Sequence, residues 1–174
     1  HTRADARVYY FEWQNYFYTL NVGGSMYRRF SCDDCASQLA RTPAMDGFMA
    51  DTAIPSIKSP EIISGNEIIT EYPDQSKWRA DFAALAGQVR ARLGARKYVI
   101  GNTAGYSYPQ MADAGGGEHQ EMYVAFTNEH GPDKWDYWKK QSDKGKYSFW
   151  EPAWDAWGVD ADRERIHYLA YHYM

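Results

Sequence analysis

No stretch of this chain reaches the ~18 apolar residues that a membrane-spanning helix requires, so no such helix is expected. Basic residues are also in short supply. Lys and Arg number 19 against 23 Asp and Glu, a formal net charge of -4. That balance provides no basic field for holding phosphates and argues against nucleic acid as a partner. Cysteine is limited to Cys32 and Cys35, in the run Ser-Cys-Asp-Asp-Cys-Ala. Their C-x-x-C spacing lacks the strand that precedes a thioredoxin-like motif, and Ala36 stands where haem attachment needs His. A zinc site would need a second such pair, and His119, His130, His167 and His172 show no metal-ligand spacing. The two cysteines read as ordinary helix residues, disulfide-linked if the chain is extracellular.

Other signatures are missing too. There is no G-x-G-x-x-G, P-loop or G-x-S-x-G, and Gly115 to Gly117 has no phosphate-binding context. Asp160, Asp162 and Glu164 alternate without the rest of a calcium loop and read as a solvated turn. Neither a cofactor nor a metal is expected. The chain opens on His1 without a signal-peptide pattern, and the expectation is a processed or excised segment. Its 174 residues suffice for one domain, and no composition break divides them, so 1–174 reads as a single α/β domain.

What is abundant is aromatic surface, at 17% with 15 Tyr and 7 Trp. Flat rings with polar edges suit sugar stacking and equally suit core packing. The cluster from Trp135 to Trp157 fits core packing better.

Periodicity orders the chain. Residues 16 to 22 are β-branched and aromatic, a strand ending near Asn21 at Gly23-Gly24. Ser25 is expected to cap a helix in which Cys32, Cys35, Ala36, Leu39 and Ala40 share a face, ended by Thr42-Pro43. Met45 to Asp51 is a short apolar strand closed by a carboxylate, and residues 52 to 75 form a long loop. From Ser76, the residues Trp78, Phe82, Leu85, Ala86, Val89 and Leu93 repeat at helical spacing until Gly94. Residues 97 to 100 form a strand running into Gly101-Asn102, and 103 to 117 a Gly- and Tyr-rich loop. His119 to Ala125 is a further strand, Pro132-Asp133 opens a helix, a Trp-rich connection follows, and Arg165 to Tyr173 is the last strand.

Strands alternating with helices call for a mainly parallel sheet. The expected fold is a (β/α)8 TIM-barrel-like domain, a partial barrel lacking its N-terminal strands, which another chain or segment would complete. In parallel strands Asn21, Asp51, Asn102 and Glu121 come near the carboxyl ends and onto one face. Two carboxylates and two amides there can serve glycoside hydrolysis, one carboxyl donating a proton and the other attacking or activating water. Asn21 and Asn102 could hold sugar hydroxyls, and Trp13, Tyr106, Tyr108 and Trp150 could stack on rings.

The run from Asn21-Val22 through Tyr27-Arg28-Arg29-Phe30 to Asp46-Gly47-Phe48-Met49-Ala50-Asp51 resembles glycoside hydrolases of TIM-barrel fold. Tyr98-Val99-Ile100-Gly101-Asn102 and Gln120-Glu121 extend the likeness to about two thirds of the chain. The resemblance implies a secreted hydrolase acting on a polysaccharide or oligosaccharide, with Asp51 matching the nucleophile or base and Glu121 the acid. This sequence departs from the pattern at Gly115 to Glu121, which leaves Glu118 and Asp113 as alternative partners. A non-catalytic carbohydrate-binding or structural protein is the competing reading.

Overall fold

The computed structural model describes residues 21–51, 53–57, 69–103, 106, 108–121, 136–137 and 139–151, with the backbone alone at 119–121 and 147–151. Along the chain run α1 (Ser25–Arg41), β1 (Gly47–Ala50), α2 (Gln75–Leu93), β2 (Tyr98–Asn102), α3 (Pro109–Gly115), β3 (Gly117–Glu121) and β4 (Tyr147–Glu151). The strands form one parallel sheet in the order β1-β2-β3-β4.

This arrangement corrects the barrel expectation. Among the described residues the sheet is open, with four strands in sequence order and β1 and β4 at opposite edges. A barrel of the TIM type closes through eight tilted and staggered strands, and four neighbours cannot wrap round to meet. The fold is a partial α/β arrangement in which α2 and α3 pack on β2, α3 also on β3, and α1 on α2. Of the strand expected at 16–22 only Asn21 and Val22 are described, in the turn before α1 and not in a strand, and the strand expected at 165–173 lies outside the described residues.

Local chemistry explains most boundaries. α2 starts where the Asp74 side chain accepts from the Lys77 amide at 3.0 Å, and it stops at Gly94, whose φ of 107° is unfavourable for other residues. Its buried face carries Trp78, Leu85, Ala86 and Val89, as the sequence period requires. α1 begins differently from expectation: Gly24 occupies the N-cap with no side-chain hydrogen bond, and Ser25 is the first helical residue. Two elements run through segments read as connections. α3 lies inside the Gly- and Tyr-rich loop, with Pro109 in its first turn and the left-handed Gly116 just past its end. β4 lies in the Trp-rich connection. β3 starts at Gly117, two residues earlier than the pattern indicated.

The core joins α2, α3 and the strand-end loops. Ala53, Ile57, Ile69, Tyr72, Trp78, Val89, Val99, Tyr108 and Met111 belong to one buried cluster. Helix and sheet approach closely at two glycines. A Cβ on Gly115 would lie 2.0 Å from the Val99 carbonyl oxygen, and one on Gly101 would lie 2.8 Å from the Ala53 Cβ. Neither position has room for a side chain, which brings α3 down onto β2.

A polar network joins the turn before α1 to α2. Tyr72 Oη donates to Asn21 Oδ1 at 2.7 Å and accepts from the Gly23 amide at 2.8 Å. Arg28 Nε donates to the Val22 carbonyl at 2.9 Å, while its Nη2 pairs with Asp81 Oδ1 at 2.9 Å. Burial pushes the Tyr72 phenol from 10.0 up to about 12, with the Asp81 charge adding to the rise and the Gly23 hydrogen bond opposing it. The folded protein therefore favours the neutral phenol. Its contribution to stability is complete below pH 10 and is lost as the pH rises through about 12. The melting temperature should fall across that window, and Tyr72→Phe should lower it at pH 8 while flattening the alkaline fall. An unchanged alkaline slope in the variant, followed by circular dichroism, would remove Tyr72 from the transition.

Candidate functional site

Parallel register brings the carboxyl ends of β1, β2, β3 and β4 to one edge of the sheet, where α/β folds place ligands. β1 pairs with β2 through Ala50 and Gly101, so the next residues, Asp51 and Asn102, fall side by side. Their side chains meet. Asn102 Nδ2 donates to Asp51 Oδ1 at 2.8 Å, across a separation of 51 residues. Asn102 is 5% exposed, whereas Asp51 is exposed. The Ala53 amide donates to the Asn102 carbonyl at 2.7 Å.

Register also separates the candidate partners of Asp51. Asn102 is paired with His119 and Gly101 with Glu118. Because successive strand residues alternate between faces, Glu121 shares the parity of His119 and Asn102, and Glu118 has the opposite one. Glu118 lies on the helix-covered side, 0% exposed, where Oε2 accepts from the Tyr108 amide at 3.2 Å. Tyr137 packs near it, and burial together with the Glu118 charge pushes the Tyr137 phenol upward. Asp113 is exposed on α3, with Lys144 Nζ 3.4 Å from its carboxylate. Of the three acidic residues weighed from sequence as the partner, Glu121 alone has the parity of Asp51. Glu151, which the sequence reading passed over, ends β4 in register with Glu121. Its signal was the aromatic run Tyr147-Ser-Phe-Trp after Gly145, a strand composition.

The other residues expected at the site differ in their surroundings. Asn21 Oδ1 is engaged by the Gly23 amide of its own turn and by the hydroxyl of the distant Tyr72. Tyr108 is fully buried and donates its hydroxyl to the Arg79 carbonyl, so its ring has no face open for stacking. Tyr106 is 38% exposed on the loop after Asn102, with its amide on the Thr103 carbonyl at 2.9 Å. Trp150 pairs with Gln120 in β4, at the parity opposite to Glu121. Trp13 lies outside the described residues.

Cys32 and Cys35 are free thiols on α1. Burial raises both, and the adjacent Asp33 and Asp34 charges raise them further, so the thiolate that nucleophilic or redox chemistry needs is disfavoured. Among the described residues no three His, Cys, Asp or Glu side chains gather as a metal site, and no helix is long and apolar enough to cross a membrane. A scan against protein-family models and a search of curated proteins find no match to the chain.

Proposed function

We propose that this protein is a glycoside hydrolase that cleaves a polysaccharide or oligosaccharide at the carboxyl edge of its parallel sheet. The observation that carries the reading is Asp51 held by Asn102 at that edge, with Glu121 ending β3 at the same parity. Asp51 is the base or nucleophile and Glu121 the acid. In the base role, Asp51 takes a proton from water, the oxygen bonds to the anomeric carbon, and Glu121 gives its proton to the departing glycosidic oxygen. Tyr106, on the loop after Asn102, offers a ring for sugar stacking.

Stereochemistry distinguishes the two roles open to Asp51. Inverting glycosidases hold their carboxyl groups ~6.5–9.5 Å apart and retaining ones ~5–5.5 Å, so the base role predicts a first product whose anomeric configuration is opposite to that of the substrate. Proton NMR during early turnover reads this directly, and a retained anomer would exclude Asp51 as base.

The primary test is release of reducing ends or nitrophenol from soluble glucans, xylans and galactans and from 4-nitrophenyl glycosides. Glu121→Gln and Glu151→Gln, assayed in parallel, identify which strand-end glutamate supplies the acid. Absence of turnover across the panel, with binding to any of these polysaccharides retained, would favour the non-catalytic carbohydrate-binding alternative.

A further inference from the structure

The structure assigns Asn102 to Asp51 and not to the substrate: Asn102 is the positioning residue that fixes the Asp51 carboxylate at the sheet edge. This inference rests on the hydrolase reading for its catalytic consequence, but the pairing itself can be tested without turnover.

Three observations converge on it. First, Asn102 is almost completely buried although it ends a strand, and β2 is flanked by β1 and β3. At that depth its Nδ2 donates to Asp51 Oδ1 at 2.8 Å, which ties the amide to the end of the neighbouring strand. Second, the direction of that bond is fixed by chemistry. An ionised carboxylate only accepts, so the amide must present nitrogen to it. Third, the main chain repeats the connection, because the Ala53 amide donates to the Asn102 carbonyl at 2.7 Å. One residue of an inner strand thus holds Asp51 by its side chain and Ala53 by its backbone. The exposed carboxylate is braced from the buried side, which limits its rotation without covering it.

A group that only orients the base acts on the chemical step. A misplacement of about 1 Å can lower the rate about 100-fold, and a group that binds substrate equally in ground and transition states changes KM instead. Asn102→Ser, chosen over Ala because it leaves a polar group in the buried site, should therefore lower kcat roughly 10- to 100-fold while KM stays within about threefold. The substrate is whichever nitrophenyl glycoside or soluble glycan of the panel the native chain cleaves. A rise in KM with kcat preserved would overturn the assignment and return Asn102 to sugar binding.

The activity-independent arm uses the exchanged pair Asp51→Asn/Asn102→Asp. It keeps one amide and one carboxylate in contact but moves the charge to β2. If the two side chains form a direct pair, Asn102→Asp, which sets two carboxylates against each other, should melt below the exchanged protein, with a non-additive recovery of roughly 3 to 6 °C. Activity should stay lost in the exchanged protein, because the carboxylate now stands on the wrong strand. In nitrogen-15 spectra the Asn102 side-chain amide should move on Asp51→Ser. Additive melting shifts with an unmoved amide signal would sink the positioning role whatever the protein hydrolyses. Failure of the native chain to cleave any panel substrate, with the coupling intact, would sink the hydrolase reading and leave Asn102 as the brace of Asp51.

Discussion

Asp51→Asn is expected to lower glycoside cleavage by roughly 10³-fold or more while leaving the melting temperature within about 2 °C of the native value. The magnitude follows from the base role, since a positioned proton-transfer group contributes about 10²- to 10⁴-fold. The replacement is nearly isosteric and removes only the charge and basicity. Its side-chain oxygen can still accept from Asn102 Nδ2, the bond seen at 2.8 Å. Asp51 is exposed, so its replacement disturbs no packing, and surface changes of that kind stay within about 0.5 kcal/mol. Leaving-group dependence separates Asp51 from its partner. Glu121→Gln should lose most activity on natural glycosides and much less on nitrophenyl ones, whose leaving oxygen needs little protonation. Asp51→Asn should lose activity on both. Native-like turnover by Asp51→Asn on either substrate class would remove Asp51 from the mechanism.

The largest stability loss is expected for Trp78→Ala. The indole is 3% exposed and packs edge-on against Tyr72, with ring centroids 5.1 Å apart, and against Phe82 at 5.6 Å. Its Nε1 donates to the Ile54 carbonyl at 2.8 Å. Truncation removes the buried surface, leaves a cavity and orphans that carbonyl. Trp-to-Ala changes in cores cost about 3 to 5 kcal/mol, which for a domain of this size lowers the melting temperature by roughly 6 to 20 °C. Trp78→Phe separates the contributions: it keeps most of the packing and loses the hydrogen bond, so a smaller fall of about 2 to 8 °C is expected. Ile54 lies three residues after Asp51, so the damage should reach the sheet edge, with kcat reduced even well below the melting transition. A Trp78→Ala protein melting within 2 °C of the native one would show that the cluster around α2 is not the main core.

The elements that sequence anticipated are those whose signal is local. α2 carries Trp78, Leu85, Ala86 and Val89 at helical spacing and ends at a glycine, and all four are buried. β1 and β2 were visible as short apolar runs. α3 was obscured because seven residues give too little periodicity to register, although Pro109 and Gly116 mark its ends. β4 was hidden because aromatic residues fit a core connection as well as a strand. Tyr108 was misjudged for a related reason: ring chemistry is the same whether the ring meets a sugar or the core, and only its complete burial distinguishes the two.

By itself, the sequence determined that α2 has one apolar face, that parallel strands alternate with helices, and that Asp51 and Asn102 end two of those strands. It could do so because helix and strand periods are written in neighbouring residues. Only the tertiary structure decided that the sheet is open among the described residues, that Glu118 is buried against the Tyr108 amide, and that the Asn102 amide nitrogen donates to Asp51. The reason is register. Strand side chains alternate with a period of two, so shifting a pairing by one residue exchanges the faces, and that pairing is set by contacts between residues far apart in the chain.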